Sequence, residues 1–465
     1  MQPQEVRRRF VSFYQKRGFQ LLPPAPMIHP SIPMSFVMSA GLVQVETSLA
    51  QAEQKLVDKC VLVQQCFRHF DLDRVGQDDV HLSLFEMPGA FQFNPRDKQQ
   101  TIRRMWQLAT EVLEIEPNKL WVTYFMGGEV AQNVQPIDEE TYQTWLDVGV
   151  EPERIIGLDA DHNYWVQSDK LQVAEDETAI RKAGPNTELF FDHGEQYGCS
   201  PACRPGCRCG RFVEFANSLF ISFQIDPVSQ EFSPLSDPFF ETVIGIERVT
   251  MIKQGVHSVF DTADYRSIID AITPYITNSY MSPWLRTTSV RIIVDHLRAL
   301  YMLVADGAPP PGKNGRERII RLLIRNTLTR KMLLGIKEKE FLHVILYKVA
   351  ETFYVQNEAS KIMVPANVKK TLKYFEYETE KYAKTLDRGL RKLDSLLKNN
   401  TENTLSGNQI VMLEKQLGVP SILVERTLNQ KGIVFDTDDY DSALTEWTQK
   451  HKSSDHAMTP IGYSI

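Results

Sequence analysis

The sequence predicts an α+β fold that gives way to an all-helical second half. Two observations carry this reading. Residues 1 to about 255 mix short β-like runs with helical ones, whereas from about Asp264 onward apolar residues recur at spacings of three and four. With 465 residues and 42% hydrophobic content, the chain is also too long for one compact core. We therefore expect two domains, 1–255 and 256–465.

Taken in order, Phe10, Phe13 and Tyr14 follow three arginines, Arg7, Arg8 and Arg9, at helical spacing. An amphipathic first helix is favoured over an organellar presequence. Alternating or continuous apolar runs predict strands over 59–68, 81–93, 119–126, 187–192 and 212–225. Helical periodicity covers 289–305, 315–330, 339–356 and 369–397, with loop signals at 306–312 and 399–403. No apolar run approaches the roughly 20 residues that cross a bilayer, and the first residues lack the apolar stretch of a secretory signal. A soluble, cytoplasmic protein is expected.

Charge is unevenly placed. Between Met281 and Lys348 there are 13 Lys and Arg against five Asp and Glu, a surplus of 8 in a chain whose net charge is −7. The remainder therefore carries −15, and the basic segment is a candidate polyanion surface. Within it, Gly307-Ala-Pro-Pro-Pro-Gly312-Lys313 imitates a phosphate-binding loop, but Asn314 stands where Ser or Thr is required. Its three prolines also remove N–H donors that would cradle phosphate, so we set it aside.

Four of the six cysteines, Cys199, Cys203, Cys207 and Cys209, fall within 11 residues among Pro201, Pro205 and Gly206. Tight turns let such thiols converge on one tetrahedral ion, and soft thiolates suit Zn2+. Four protein ligands leave no open position, which makes the zinc structural; His193 is an alternative fourth ligand. Cys60 and Cys66 sit in a strand-like run and read as packing residues.

The chemistry is signalled elsewhere. Arg68 ends the apolar run that starts at Val61, and His81 and Phe85 open the next, an arrangement suited to a nucleoside triphosphate. Arg248 ends Glu241-Thr-Val-Ile-Gly245-Ile-Glu247-Arg248, where Gly245 allows close backbone approach before a helix. A planar guanidinium contacts phosphate at two points and stabilises charge building on it.

Together these stretches resemble motifs two and three of the class II aminoacyl-tRNA synthetases. The chain is similar to the alanyl-tRNA synthetase family over almost its whole length. The resemblance runs through Val6 to Gly18, Pro33 to Leu42, Cys66-Phe-Arg68, Asp71 to Gly76, Phe85 to Phe93 and Asn163-Tyr-Trp165. It continues through Gly184 to Asp192, Glu214-Phe-Ala-Asn217, Gly245 to Arg248, Ser289 to His296, Ala305-Asp-Gly307 and Thr385 to Gly389.

The resemblance implies an antiparallel class II sheet with flanking helices that binds bent ATP and Mg2+, followed by a helical tRNA-recognition domain. It makes Arg68 and Arg248 the catalytic cations. Arg68 would meet the α-phosphate, Phe85 the adenine, and His81 and Arg248 the outer phosphates. Glu188 and Glu214 would be magnesium or ribose contacts, while Trp165, Asn217, Glu241 and Val243 would line the amino-acid pocket. Lys313, Asn314, Arg316, Arg321 and Arg325 would face the tRNA acceptor.

Departures from the family concentrate where specificity lies. Its Asp-Thr-Gly-Met-Gly is here Glu241-Thr-Val-Ile-Gly245, which extends the carboxylate and fills a glycine position. The segment between Arg68 and His81 is shortened, and both acceptor-reading stretches, Gly312 to Glu317 and Thr404 to Gly407, differ. The family's editing and C-terminal oligomerisation domains are not represented, and we lean toward a monomer. Alanine activation with transfer to tRNA is the first expectation. Transfer to a carrier protein or small metabolite is the second, and a non-catalytic nucleic-acid-binding paralogue the third.

Overall fold

The computed structural model describes residues 1–28, 58–93, 95, 97–167, 181–355, 358–398 and 404–451. Of the stretches that carry the resemblance, 33–42 lies outside these residues, as do 399–403 of the expected loop. The described residues separate into two compact units at Ser267 and Ile268.

The first unit opens with helix α1 (Pro3–Gln15), which buries Val6, Phe10, Phe13 and Tyr14. These positions recur on one face of a 3.6-residue period, and Pro3 sits in the first turn, where its missing N–H has no intrahelical partner to lose. The sheet comprises β1 (Gln20–Leu21), β2 (Lys59–Phe67), β3 (Leu84–Phe93), β4 (Leu120–Phe125), β7 (Ile155–Leu158), β8 (Tyr164–Val166), β9 (Arg181–Asp192), β10 (Phe212–Ile225) and β11 (Phe232–Ile244). A separate two-stranded ribbon holds β5 (Gly128–Val130) and β6 (Asn133–Gln135). The sheet order is β1-β2-β3-β11-β10-β9-β4-β7, with β8 also on β9.

From β2 to β4 every neighbour is antiparallel; only β1 on β2 and β7 on β4 are parallel. The sheet is thus mixed at its margins and antiparallel where the site lies. Strand β11 fills its middle, pairing β3 on one side and β10 on the other. It contains Pro234 and Pro238, residues that argue against a central strand. The conflict is local: its pairing with β3 begins at Phe239, beyond the second proline.

An irregularity shapes β10. Against β9, Glu214 pairs Phe190 but Ala216 pairs Leu189, so Phe215 is an extra residue, a β-bulge. The strand is otherwise buried along most of its length. On β9, Gly184 faces Trp165 of β8, and a Cβ at this glycine would lie 1.9 Å from the Phe220 carbonyl oxygen. Gly184→Ala is therefore expected to push β9 away from β10 and destabilise the unit by about 1–3 kcal/mol, measured as a lowered thermal midpoint. An unchanged midpoint would show that the strands separate freely there.

The second unit is helical: α6 (Pro283–Ala305), α7 (Gly315–Leu333), α8 (Phe341–Val349), α9 (Glu358–Lys398), α10 (Gly407–Val411), α11 (Ser421–Gln430) and α12 (Thr437–His451). In the first unit α2 (Lys98–Gln107), α3 (Glu139–Asp147) and α4 (Ile246–Gln254) flank the sheet, and α5 (Ala263–Ile272) contains the division at Ser267 and Ile268. Helix α9 begins well before the expected 369 and carries Pro365 in its interior, where a proline ordinarily argues for a boundary. Its buried Tyr382, Leu386 and Leu393 join Leu405, Ile410, Leu413, Val419 and Leu423 in one cluster.

Candidate active site and metal centre

The site is built on one face of the antiparallel sheet. Strands β2 and β3 pair with Cys66 opposite Phe85, and the Arg68 amide donates to the Ser83 carbonyl at 2.8 Å. This places Arg68, 2% exposed, beside Phe85, with its guanidinium carbon 5.0 Å from the ring centroid. A depression beside them is lined by Asp71, Val80, His81, Leu82, Phe85, Gly245, Glu247 and Arg248. The two sequence stretches on either side of Arg68 and Arg248 thus converge.

His81 is fixed by Asp78. Asp78 Oδ1 accepts the amides of Val80 and His81 at 3.1 and 2.9 Å, and its Oδ2 lies 2.5 Å from His81 Nδ1. Burial works to raise the Asp78 pKa, but the His81 side chain and these amides outweigh it and hold the carboxyl down at about 2.

Strand β3 and helix α4 are braced by carboxylates. Glu247 accepts the Glu86 amide at 3.2 and 3.1 Å, and Glu86 in turn takes Arg7 of α1 in a bidentate pair at 2.5 and 2.8 Å. Phe85 and Arg248, next to Glu86 and Glu247, are thereby set against one another. Neither Asp78 nor the bracing role of Glu247 was read from sequence. The Asp78-Asp79 pair ahead of His81 was a turn signal that could have found the first.

The bulge at Phe215 brings the remaining acids into place. Because Phe190 opposes Glu214 and Glu188 opposes Asn217, residues 214 and 217 share the face of Glu188 although three positions apart. Arg248 Nη1 donates to the Glu214 carbonyl at 2.7 Å and lies 3.7 Å from its carboxylate. Burial pushes the Glu214 carboxyl well above the usual range, and neighbouring Glu188 adds to this against Arg248 and Arg68. Glu214 Oε1 is buried and makes no hydrogen bond among the described residues. Glu188 accepts from Thr123 Oγ1 at 3.3 Å, Asn217 Nδ2 at 3.4 Å and Asn186 Nδ2 at 3.5 Å.

Across the sheet, Glu188, Asn217, Val243 and Gly89 form one row from β9 to β3. Glu241, 1% exposed, stands two residues from Val243 on that face, opposite Leu219. Trp165 packs with Leu219, Ile221 and Phe239. The Asn217 Oδ1 atom is buried with no hydrogen-bond partner among the described residues.

In the helical unit the acceptor candidates are dispersed. Lys313 and Asn314 are exposed at the start of α7, while Arg316 and Arg321 are half-buried. Arg325 Nε donates to buried Glu378 at 2.6 Å, and its guanidinium lies over Tyr382. The stretch at 307–313 joins helices α6 and α7, without the strand that precedes a phosphate loop. Ser406 caps α10, and Gln409 completes a capping box.

The cysteine loop leaves β9 and returns to β10. Asp192 and Arg211 close its neck with two hydrogen bonds of 2.8 Å. The Sγ atoms of Cys199, Cys203, Cys207 and Cys209 all lie within 4.8 Å of one another, with 199–207 at 3.3 Å and 203–209 at 3.2 Å. A tetrahedral zinc with Zn–S near 2.3 Å requires sulfurs about 3.8 Å apart, so the set fits with small adjustments. Cys203 is anchored on Phe190 and Phe212. His193 is not in this group; its ring packs against Phe191 and His257, and burial, reinforced by His257, lowers its pKa to about 4.

Comparison with known proteins agrees with this architecture. The family described as tRNA synthetases class II (A) matches residues 5–461. The alanine–tRNA ligase of Desulforamulus reducens is 31% identical over 458 residues, 97% of this chain and 49% of that protein. Those of Desulforudis audaxviator and Alkaliphilus oremlandii are 30% and 28% identical over 98% and 97% of this chain. The chain spans about half the length of the curated relatives it matches. No described helix is long and apolar enough to cross a membrane. With a family match across nearly all its residues, and two arginines converging on one face of an antiparallel sheet, the chain belongs to the class II (A) tRNA synthetases.

Proposed function

We propose that this protein activates a small amino acid, alanine first, as its adenylate and transfers it to tRNA. The observation that supports this reading is the single sheet face shared by Arg68, Phe85, Glu188, Glu214, Asn217 and Arg248. An amino-acid carboxylate oxygen attacks the α-phosphorus of ATP, and pyrophosphate leaves. The carboxylate is already a nucleophile, so catalysis is positioning and charge stabilisation. Arg68 neutralises the α-phosphate, Phe85 stacks on the adenine, and His81, oriented by Asp78, joins Arg248 on the outer phosphates. Glu188 and Glu214 would hold Mg2+, which supplies further charge neutralisation, and Glu214 Oε1 has an unused acceptor for it. Glu241 pairs with the α-amino group, while Trp165, Asn217 and Val243 bound the side-chain pocket. The four cysteines would hold a structural Zn2+.

A second reading, transfer to a carrier protein or small metabolite, is favoured by the changed acceptor stretches. At one of these Ser406 is spent on capping α10, and Arg325 in the basic segment is spent on Glu378. ATP–pyrophosphate exchange with a panel of small amino acids tests both enzymatic readings, and no exchange with any of them would sink both. Charging of total tRNA by an exchange-active enzyme then separates the two acceptors. A cytoplasmic, monomeric protein completes the proposal.

A further inference from the structure

The cysteine loop and the nucleotide-facing segment meet at one imidazole. Tyr197, two residues before Cys199, stacks its ring on His257 with centroids 4.0 Å apart and planes inclined by 10°. At the other end of the loop Gly210, which follows Cys209, lies so close that a Cβ there would be 3.7 Å from His257 Nε2. The first and last cysteines are therefore each flanked by a residue against the same side chain. The same His257 Nε2 is 3.7 Å from Asp79 Oδ2. The next two residues reach the same place: Val259 N and Ser258 Oγ donate to the Asp79 carbonyl at 2.9 and 3.3 Å. Asp79 adjoins Asp78, which holds His81, and Val80, His81 and Leu82 line the depression beside Arg248.

A tetrahedral ion draws both ends of the cysteine loop to one point, which fixes Tyr197 and Gly210 together. Without it, the Asp192–Arg211 pair still closes the neck, but Tyr197 and Gly210, which lie beyond that pair, are linked only through the loop itself, and the surface that seats His257 loses that constraint. We propose that Tyr197 and His257 are positioning residues that set segment 78–82, and with it triphosphate binding, according to metal occupancy of the cysteine loop. This inference rests on the adenylation reading for its consequence, but not for its geometry. The coupling is reciprocal, so bound nucleotide must also tighten the metal.

The test uses the full chain, zinc-loaded and chelator-stripped, with amide hydrogen exchange at 78–82 and Mg·ATP affinity by calorimetry. Stripping is expected to raise exchange there, and to weaken ATP, by about fivefold or more. Tyr197→Ala and His257→Ala should show the raised exchange while still metal-loaded and respond no further to stripping. Tyr197→Phe, which keeps the stack, should behave as the native protein. If stripping unfolds the chain, the rate of zinc loss with and without Mg·ATP replaces it, with nucleotide slowing loss in the native protein and not in His257→Ala. Exchange at 78–82 that ignores the metal, or that still follows it in both alanine variants, overturns the proposal, as do equal zinc-loss rates. Metal-dependent exchange in a protein that binds no ATP would instead refute the adenylation reading and uphold the positioning role.

Discussion

Replacing Arg68 by alanine is expected to lower amino-acid-dependent ATP–pyrophosphate exchange by about 10²–10³-fold. Arg68 is 2% exposed, its backbone held by the amide bond to Ser83 and its guanidinium lying by the Phe85 ring, so it is set in place before any nucleotide arrives. Preorganisation is what makes such a cation effective, because no reorganisation accompanies charge development on the phosphate. Arg68→Lys should recover little, since an ammonium lacks the planar fork that meets two oxygens and lies flat on an aromatic ring. Circular dichroism and a melting curve establish that the fold survives. A correctly folded alanine variant with near-native exchange would remove Arg68 from the chemistry.

The second large effect is expected at the metal centre. Cys203→Ser should reduce bound zinc from about one per chain to near zero, because a neutral hydroxyl does not replace a soft thiolate. At free zinc near a thousand times Kd, the lost binding removes about 4 kcal/mol of stability from the first unit. For a unit of this size that corresponds to roughly 8–16 °C in its melting transition. Cys60→Ser separates metal loss from simple packing loss, since Cys60 is also buried but lies in β2. Full zinc content in purified Cys203→Ser would exclude a four-thiolate site.

What could be read from sequence was whatever is local. The β2–β3 pairing and the turn before Arg248 are contiguous stretches whose pattern and chemistry agree, and both appear close to where periodicity placed them. Strand β11 was missed because its two prolines are tolerated only by virtue of where pairing with β3 starts, a fact of tertiary register. The convergence of Glu188, Glu214 and Asn217 depends on one extra residue in one strand, which alternation alone does not reveal. Charge counting likewise overstates what a surface can offer. Arg325 is bound to Glu378, 53 residues away, and Arg298, 2% exposed, lies against Phe353. A surplus of 8 in sequence is therefore not a surplus of 8 available to a polyanion.

The bulge at Phe215 makes β10 two combs cut to different phase. Teeth up to Glu214 are counted from the end beside helix α4, where Arg248 takes the Glu214 carbonyl and Gly245 the Phe215 carbonyl. Teeth from Asn217 are counted from the row that includes Val243. Deleting Phe215 would merge the combs and turn either Glu214 or Asn217 through the sheet, whereas a substitution within one comb leaves the other in step. Side chains from Asn217 onward could thus be exchanged without disturbing the contacts that Glu214 makes with Arg248.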